Sequence, residues 1–206
     1  MSNSKFQCQN FKGEHPINVM DVDITVAVSP VATGVIATHF WNHALAQEGE
    51  RKLAAIYCHD VTECTFIVLT AGEDYPLIWS FHAPPGSLPG STRTGSIAVS
   101  VNNFYKRVAE ESGRLKFKAD FDLVVAGIDV SSIDVGKIVT ELSKLDGINS
   151  VRPLVHTVTG YNGVGKSGEH TCYDMYFFPT QSYGDKKILV TNGKGKNRGI
   201  VHTIQL

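Results

Sequence analysis

The thirty residues from Tyr57 to Gly86 read YCHDVTECTFIVLTAGEDYPLIWSFHAPPG. Two runs in this stretch alternate with period two, CTFIVLT and PLIWSFH, and the turn-like AGEDY separates them. That pattern predicts a β-hairpin. With the loop centred on Glu73, Thr70 faces Pro76, Val68 faces Ile78, Phe66 faces Ser80 and Cys64 faces His82. Directly opposed residues hold their Cβ atoms roughly 5 Å apart on one face. A thiol and an imidazole then meet at the open end of the hairpin. The meeting depends on register, because a slip of one residue sends the two side chains to opposite faces. A thiol beside an imidazole is the minimum equipment for thiolate nucleophilic catalysis. The competing reading is a buried cysteine and a hydrogen-bonded histidine that do no chemistry.

Outward from the hairpin, the chain of 206 residues is within range of one domain. A formal charge of −1 implies no general attraction to nucleic acid or to a membrane surface. The four cysteines, Cys8, Cys58, Cys64 and Cys172, are too sparse for a disulfide scaffold. The start of the chain has no apolar signal-peptide core, and no apolar run is long enough to span a bilayer. The expectation is a cytoplasmic fold. It is compatible with a toxin made in one cell and delivered into the cytosol of another.

Residues 1–16 are polar and read as a flexible N-terminus, with residues 17–206 as a single domain. DVDITVAVS alternates as a strand that Pro30 ends. TGVIATHFWNHALAQ, residues 33–47, has near-helical apolar spacing with Thr33 as its cap. His39 and His43 lie one turn apart in it, on what reads as an exposed polar face. LAAIYC leads into the hairpin as a short apolar segment. After His82, APPGSLPGSTRTGS is a long loop that either lines a substrate cleft or makes a plain surface excursion. SIAVSVNNFYKRVAEESG predicts a helix stopped by Gly113. SSID is a capping box, Ser131 with Asp134, opening a helix closed by Gly147. LKFKADFDLVVAGIDV, SVRPLVHTVT, HTCYDMYFF, KKILVT and GIVHTIQL read as strands. The whole predicts an α+β fold: a largely antiparallel sheet or sandwich with about three helices.

Two further motifs compete for a function. Residues 160–167, GYNGVGKS, match the P-loop pattern, but a P-loop needs a helix after it, and GEHTCYDMYFFP is strand-like. We read the match as a glycine-rich hairpin loop. A zinc reading would use Cys58, His59, Cys64 and His82, with His156, His170 and Cys172 in reserve. The gap between the first two cysteines is wrong for a knuckle, and adjacent Cys58 and His59 point apart in an extended chain. The basic turn KGKNR reads as a solvated loop.

The Cys64-to-His82 hairpin resembles the active site of the cytotoxic-necrotizing-factor-like glutamine deamidases, a superfamily that includes the Burkholderia lethal factor and the chemoreceptor glutamine deamidases. In that family a cysteine opens a strand after a short Ser/Gly-containing turn, and a histidine ends the next strand. Here Cys64 follows VTE, and His82 lies eighteen residues later. HAPPG after His82 and NNFYKRV from Asn102 to Val108 are similar to stretches of the lethal factor. The likeness covers residues 57 to 108. The chain departs from the family turn LSGC: Thr62 can stand in for the serine, and Glu63 replaces the glycine. A threonine or a main-chain carbonyl orients the imidazole in the family. Cys58 stands at the threonine's position, which leaves Thr62, Asp60 or a backbone carbonyl for that role. Glu63 points away from Cys64 if the strand is regular.

The resemblance implies deamidation of a glutamine side chain on a protein, such as a host protein, by Cys64 with His82 as general base and acid and Thr62 as a supporting residue. It implies no metal or cofactor and no nucleic-acid or membrane partner, and is silent on oligomeric state. The runner-up readings are another thiol acyl-transfer reaction, such as peptide or isopeptide cleavage, and a non-catalytic β-rich binding module.

Overall fold

The two strands of the hairpin, residues 65–71 and 77–83, are buried at every position. Strands buried on both faces need a layer on each side. The computed structural model supplies both layers. It describes residues 27–31, 33–40, 53–58, 61, 63–71, 77–91, 100–128, 130–158, 173–178, 187–192 and 199–206.

In chain order the elements are β1 (Ala27–Val31), β2 (Ile36–Phe40), β3 (Leu53–Cys58), β4 (Thr65–Ala71), β5 (Leu77–Ala83), α1 (Val101–Ser112), β6 (Ala119–Gly127), α2 (Val135–Leu142), β7 (Ile148–Thr157), β8 (Tyr173–Phe178), β9 (Lys187–Asn192) and β10 (Gly199–Gln205). The strands form two sheets, ordered β1-β3-β8-β9-β10 and β2-β5-β4-β6-β7. Pairing is antiparallel throughout except between β1 and β3 and between β6 and β7. The parallel β6–β7 pair is joined through α2, the helical crossover such a pair requires. The protein is an α+β fold with two mostly antiparallel sheets and, among the described residues, two helices.

One core lies between the sheets. Phe66, Val68, Ile78, Val124 and Ala126 of the second sheet meet Ile56, Cys58, Met175, Phe177, Ile188 and Val190 of the first. The other lies between the second sheet and the helices, where Leu69, Trp79, Phe81 and Leu123 pack on Phe104, Val108, Ile138 and Leu142. Alternation along β4 and β5 thus sorts side chains between two apolar layers. Trp79 keeps its indole satisfied on the helix side by donating to Glu111 of α1 at 2.8 Å.

Several predicted elements need correction. The segment from Thr33 is a strand, not a helix: Thr33 and Gly34 form a turn, and β2 follows, paired with β5. Gly34 sits at φ 78°, a left-handed turn that no helix start uses. Its β-branched residues, Val35, Ile36 and Thr38, suit a pleated edge strand. Residues 41–50, including His43, lie outside the described residues. Pro30 lies inside β1 instead of ending it, which is tolerated because β1 is at the edge of its sheet. The second helix is capped by Asp134, whose side chain accepts from the Lys137 amide, instead of by Ser131. That helix ends at Leu142, and Gly147, at φ 83°, turns the chain into β7. Residues 1–16, the glycine-rich stretch 160–167 and the KGKNR loop lie outside the described residues.

Candidate functional site

The hairpin register differs by two residues from the one the sequence suggests. Phe66 faces His82, Val68 faces Ser80 and Thr70 faces Ile78. A shift of two preserves the face. Cys64, one residue ahead of β4, therefore still lies on the face of Phe66 and His82, as a diagonal neighbour and not a direct one. Such diagonals are typically about 7–8 Å apart. Cys64 is half-buried and packs on the core between the sheets. His82 is fully buried.

What joins them comes from the other sheet. The chain leaves β1 at Val31, turns through Thr33 and Gly34, and enters β2 beside His82. The Gly34 amide donates to the His82 carbonyl at 2.8 Å, and the His82 amide donates to the Val35 carbonyl at 3.3 Å. With its backbone held on both sides, His82 places Nδ1 3.4 Å from the Val31 carbonyl and 3.4 Å from the Thr33 hydroxyl. The Thr33 hydroxyl also acts on the Cys64 thiol, whose pKa it lowers. Thiol, hydroxyl, imidazole and carbonyl form one chain of contacts across the seam between the sheets.

The electrostatics favour a neutral thiol in this state. Burial pushes the Cys64 pKa up from 9.0 to about 11, the Glu63 carboxylate adds to the rise, and the Thr33 hydrogen bond opposes it. Glu63 is exposed, in a bend before the first paired residue, Thr65, and acts on the thiol through its charge. Cys58, at the end of β3, is fully buried in the same core. Its thiol is held well above its ordinary value by burial, then by Cys64 and Asp174.

Among the sequence-predicted residues, Cys64 and His82 share the site. Thr62 and Asp60 lie outside the described residues, as do His59, His170 and Cys172 of the zinc reading. Among the described residues no three His, Cys, Asp or Glu side chains converge as metal ligands. Thr33 and the Val31 carbonyl were missed. No local signal marks them, because their neighbours at the site lie some fifty positions along the chain.

The loop after His82 begins one residue later than predicted, since Ala83 still pairs with Thr65. Its first half is held in place. The Ser87 hydroxyl donates to the Pro84 carbonyl at 2.6 Å, and the Asp134 amide donates to the Pro89 carbonyl at 2.8 Å. Gly90, at φ 78°, packs against the Ser132 carbonyl where no Cβ would fit. This half borders a small depression whose other walls are Glu63, Thr65, Ser132 and Ile133. Residues 92–99, including Arg93, lie outside the described residues. No family model matches the chain, and no curated protein matches it at significant similarity.

Proposed function

We propose that the protein is a cysteine-dependent glutamine deamidase acting on a protein substrate. The observation that carries this reading is the contact chain from Cys64 through Thr33 to His82 and the Val31 carbonyl. With the imidazole proton on Nε2, Nδ1 accepts from the Thr33 hydroxyl, which accepts from the thiol. The thiol proton then has a route to Nδ1 as sulfur attacks the glutamine carboxamide carbon. The imidazolium so formed carries a proton on Nδ1 and donates it to the Val31 carbonyl, which stabilises the charged ring. In this reading the Val31 carbonyl acts on the imidazolium formed by proton transfer, since before transfer Nδ1 has no proton to donate to it.

The later steps use the same groups. In this reading the Cys64 amide, one residue ahead of the strand ladder, steadies the oxyanion. His82 returns its proton to departing ammonia, and water activated by the imidazole hydrolyses the thioester to glutamate. The product gains one negative charge, enough to make or break a charge-assisted contact on the target. A chain of this kind acting on a host protein is toxin- or effector-like and must be delivered into the host cytosol. No helix of the described residues is long and apolar enough to cross a membrane.

One observation favours the structural-cysteine reading: a thiol raised to about 11 is not ionised at neutral pH. The deamidase reading accounts for it by coupling ionisation to attack, so that the resting thiol is slow and substrate completes the site. The test is intact-mass measurement of candidate host proteins after incubation with the wild type, Cys64→Ala and His82→Ala. The expected result is a gain of about one dalton on one glutamine with ammonia release, absent in both variants, whose circular dichroism is unchanged. Full turnover by Cys64→Ala would remove the thiol from the mechanism.

A further inference from the structure

β7 is the last strand of the sheet that carries His82, and among the described residues nothing pairs with its outer edge. Its register fixes which backbone groups face outward. β6 and β7 stay in step from Asp120–Ser150 to Gly127–Thr157, and Pro153, which has no N–H, lies inside that run. A parallel ladder bonds alternate residues of a strand, so Arg152, Leu154 and His156 are the ones bonded to β6. The Val158 amide, which donates to the Gly127 carbonyl at 2.8 Å, continues the same parity. The N–H and C=O groups of Val155 and Thr157 therefore point away from β6.

The two halves of this edge differ. Arg152 pairs with Asp122 through two nitrogens, Asn149 and Ser150 donate to Asp120, and Pro153 withholds an N–H. Charge and proline are the usual protection of an exposed edge. From Leu154 to Thr157 that protection is missing. Burial holds the His156 pKa below its ordinary value, so the imidazole is neutral at pH 7. Val155 is 45% exposed, beyond Val151, which packs against the helix-side core. The opposite edge of the sheet, β2, is crossed by the Arg107 side chain, which donates to Thr38 at 3.2 Å.

The unprotected half is also the half nearer the thiol. Thr157 pairs with Gly127, and Gly127 pairs with Thr65, the residue after Cys64. A strand added outside β7 would lie about 15 Å from β4, three strand spacings away. About four or five extended residues span that distance.

We propose that the outer edge of β7 from Leu154 to Thr157 docks an uncharged, extended segment of the protein substrate as an added strand, a few residues along the chain from the target glutamine. The proposal rests on Cys64 being the reacting residue of the deamidase reading, and it deepens that reading by naming how the substrate is held. Backbone hydrogen bonds to Val155 and Thr157 supply the affinity. A β-branched or aromatic side chain beside Val155 supplies the preference.

The test uses the full chain and a bait peptide, Thr-Val-Thr-Val-Thr amide, joined through four glycines to a chloroacetyl group. Alkylation of Cys64 is followed by peptide mass mapping. A control bait is N-methylated at every threonine and valine and cannot add as a strand. Cys64 should react about tenfold faster with the bait than with the control, as a few strand hydrogen bonds allow. Hydrogen exchange read by NMR should slow at the Val155 and Thr157 amides when a bait without the chloroacetyl group is added. Val155→Pro removes an outward N–H without touching a ladder bond to β6, and should bring the two baits to equal rates. Val155→Lys keeps the N–H but protects the edge with a charge, should do the same, and carries the test if Val155→Pro fails to fold. Equal rates in the wild type, or a bait preference that survives in Val155→Lys, overturn the proposal. So does a dimer in sedimentation of the chain alone that Val155→Lys abolishes, because the edge then belongs to a second copy. Failure of the deamidase reading shows separately, as absence of ammonia release with the edge protection intact.

Discussion

At the scale of single residues, Thr33 decides how Cys64 and His82 communicate. Its hydroxyl lies 3.4 Å from His82 Nδ1 and opposes burial and Glu63 in setting the thiol's ionisation. The sign of the pH dependence follows. Alkylation requires thiolate, and with the pKa raised to about 11 the rate for iodoacetamide should still climb as pH passes 9. Thr33→Val removes the opposing hydrogen bond and moves the pKa further up. Its alkylation rate at pH 8 should fall about tenfold or more, as expected for loss of one hydrogen bond to an anion. Thr33→Ser keeps the hydroxyl and should stay close to wild type. An unchanged rate in Thr33→Val would detach Thr33 from the thiol.

At the scale of elements, the loop from Pro84 to Ser91 matters because it is fastened to the turn before α2. Gly90 makes the fastening possible. A Cβ there would lie 2.6 Å from the Ser132 carbonyl oxygen and 2.8 Å from the Asp134 amide nitrogen, on a backbone at φ 78°. Neither backbone atom can swing aside as a side-chain tip can. Gly90→Ala should therefore cost about 1–3 kcal/mol. It should also speed hydrogen exchange at the Asp134 amide, which donates to Pro89. Denaturant unfolding measures the first and exchange mass spectrometry the second. An unshifted midpoint would mean that the loop is not held at Gly90.

At the scale of the whole molecule, the site is built across the seam of two sheets. Val31 comes from one sheet, while His82 belongs to a strand of the other and Cys64 immediately precedes one. The core between them buries Cys58 completely but leaves Cys64 partly open. The two thiols should therefore report different events. In native buffer iodoacetamide should modify Cys64 slowly and leave Cys58 untouched. In a urea series Cys58 labelling should appear only with the cooperative unfolding transition seen by circular dichroism. Labelling of Cys58 at the Cys64 rate in native buffer would show that the sheets part locally at the site.

The sequence by itself determined what short-range pattern can carry. The hairpin, both helix segments from 101 and 135, and the strands ending at Gly127 and Thr157 follow from apolar runs bounded by turn residues. The shared face of Cys64 and His82 was legible too, because parity survives a shift of two. The exact pairing was not. Both strands are buried on both faces, so hydrophobic pattern cannot choose between registers two residues apart. Only the tertiary structure turned Thr33 from a supposed helix cap into a neighbour of both site residues. Apolar spacing from Thr33 to Gln47 suited a helix, but pairing with the edge of β5 satisfied the backbone as a strand. The Val31 carbonyl carries no side-chain signature at all. Its place beside His82 exists because two sheets pack face to face, and contacts of that kind are decided by the whole chain.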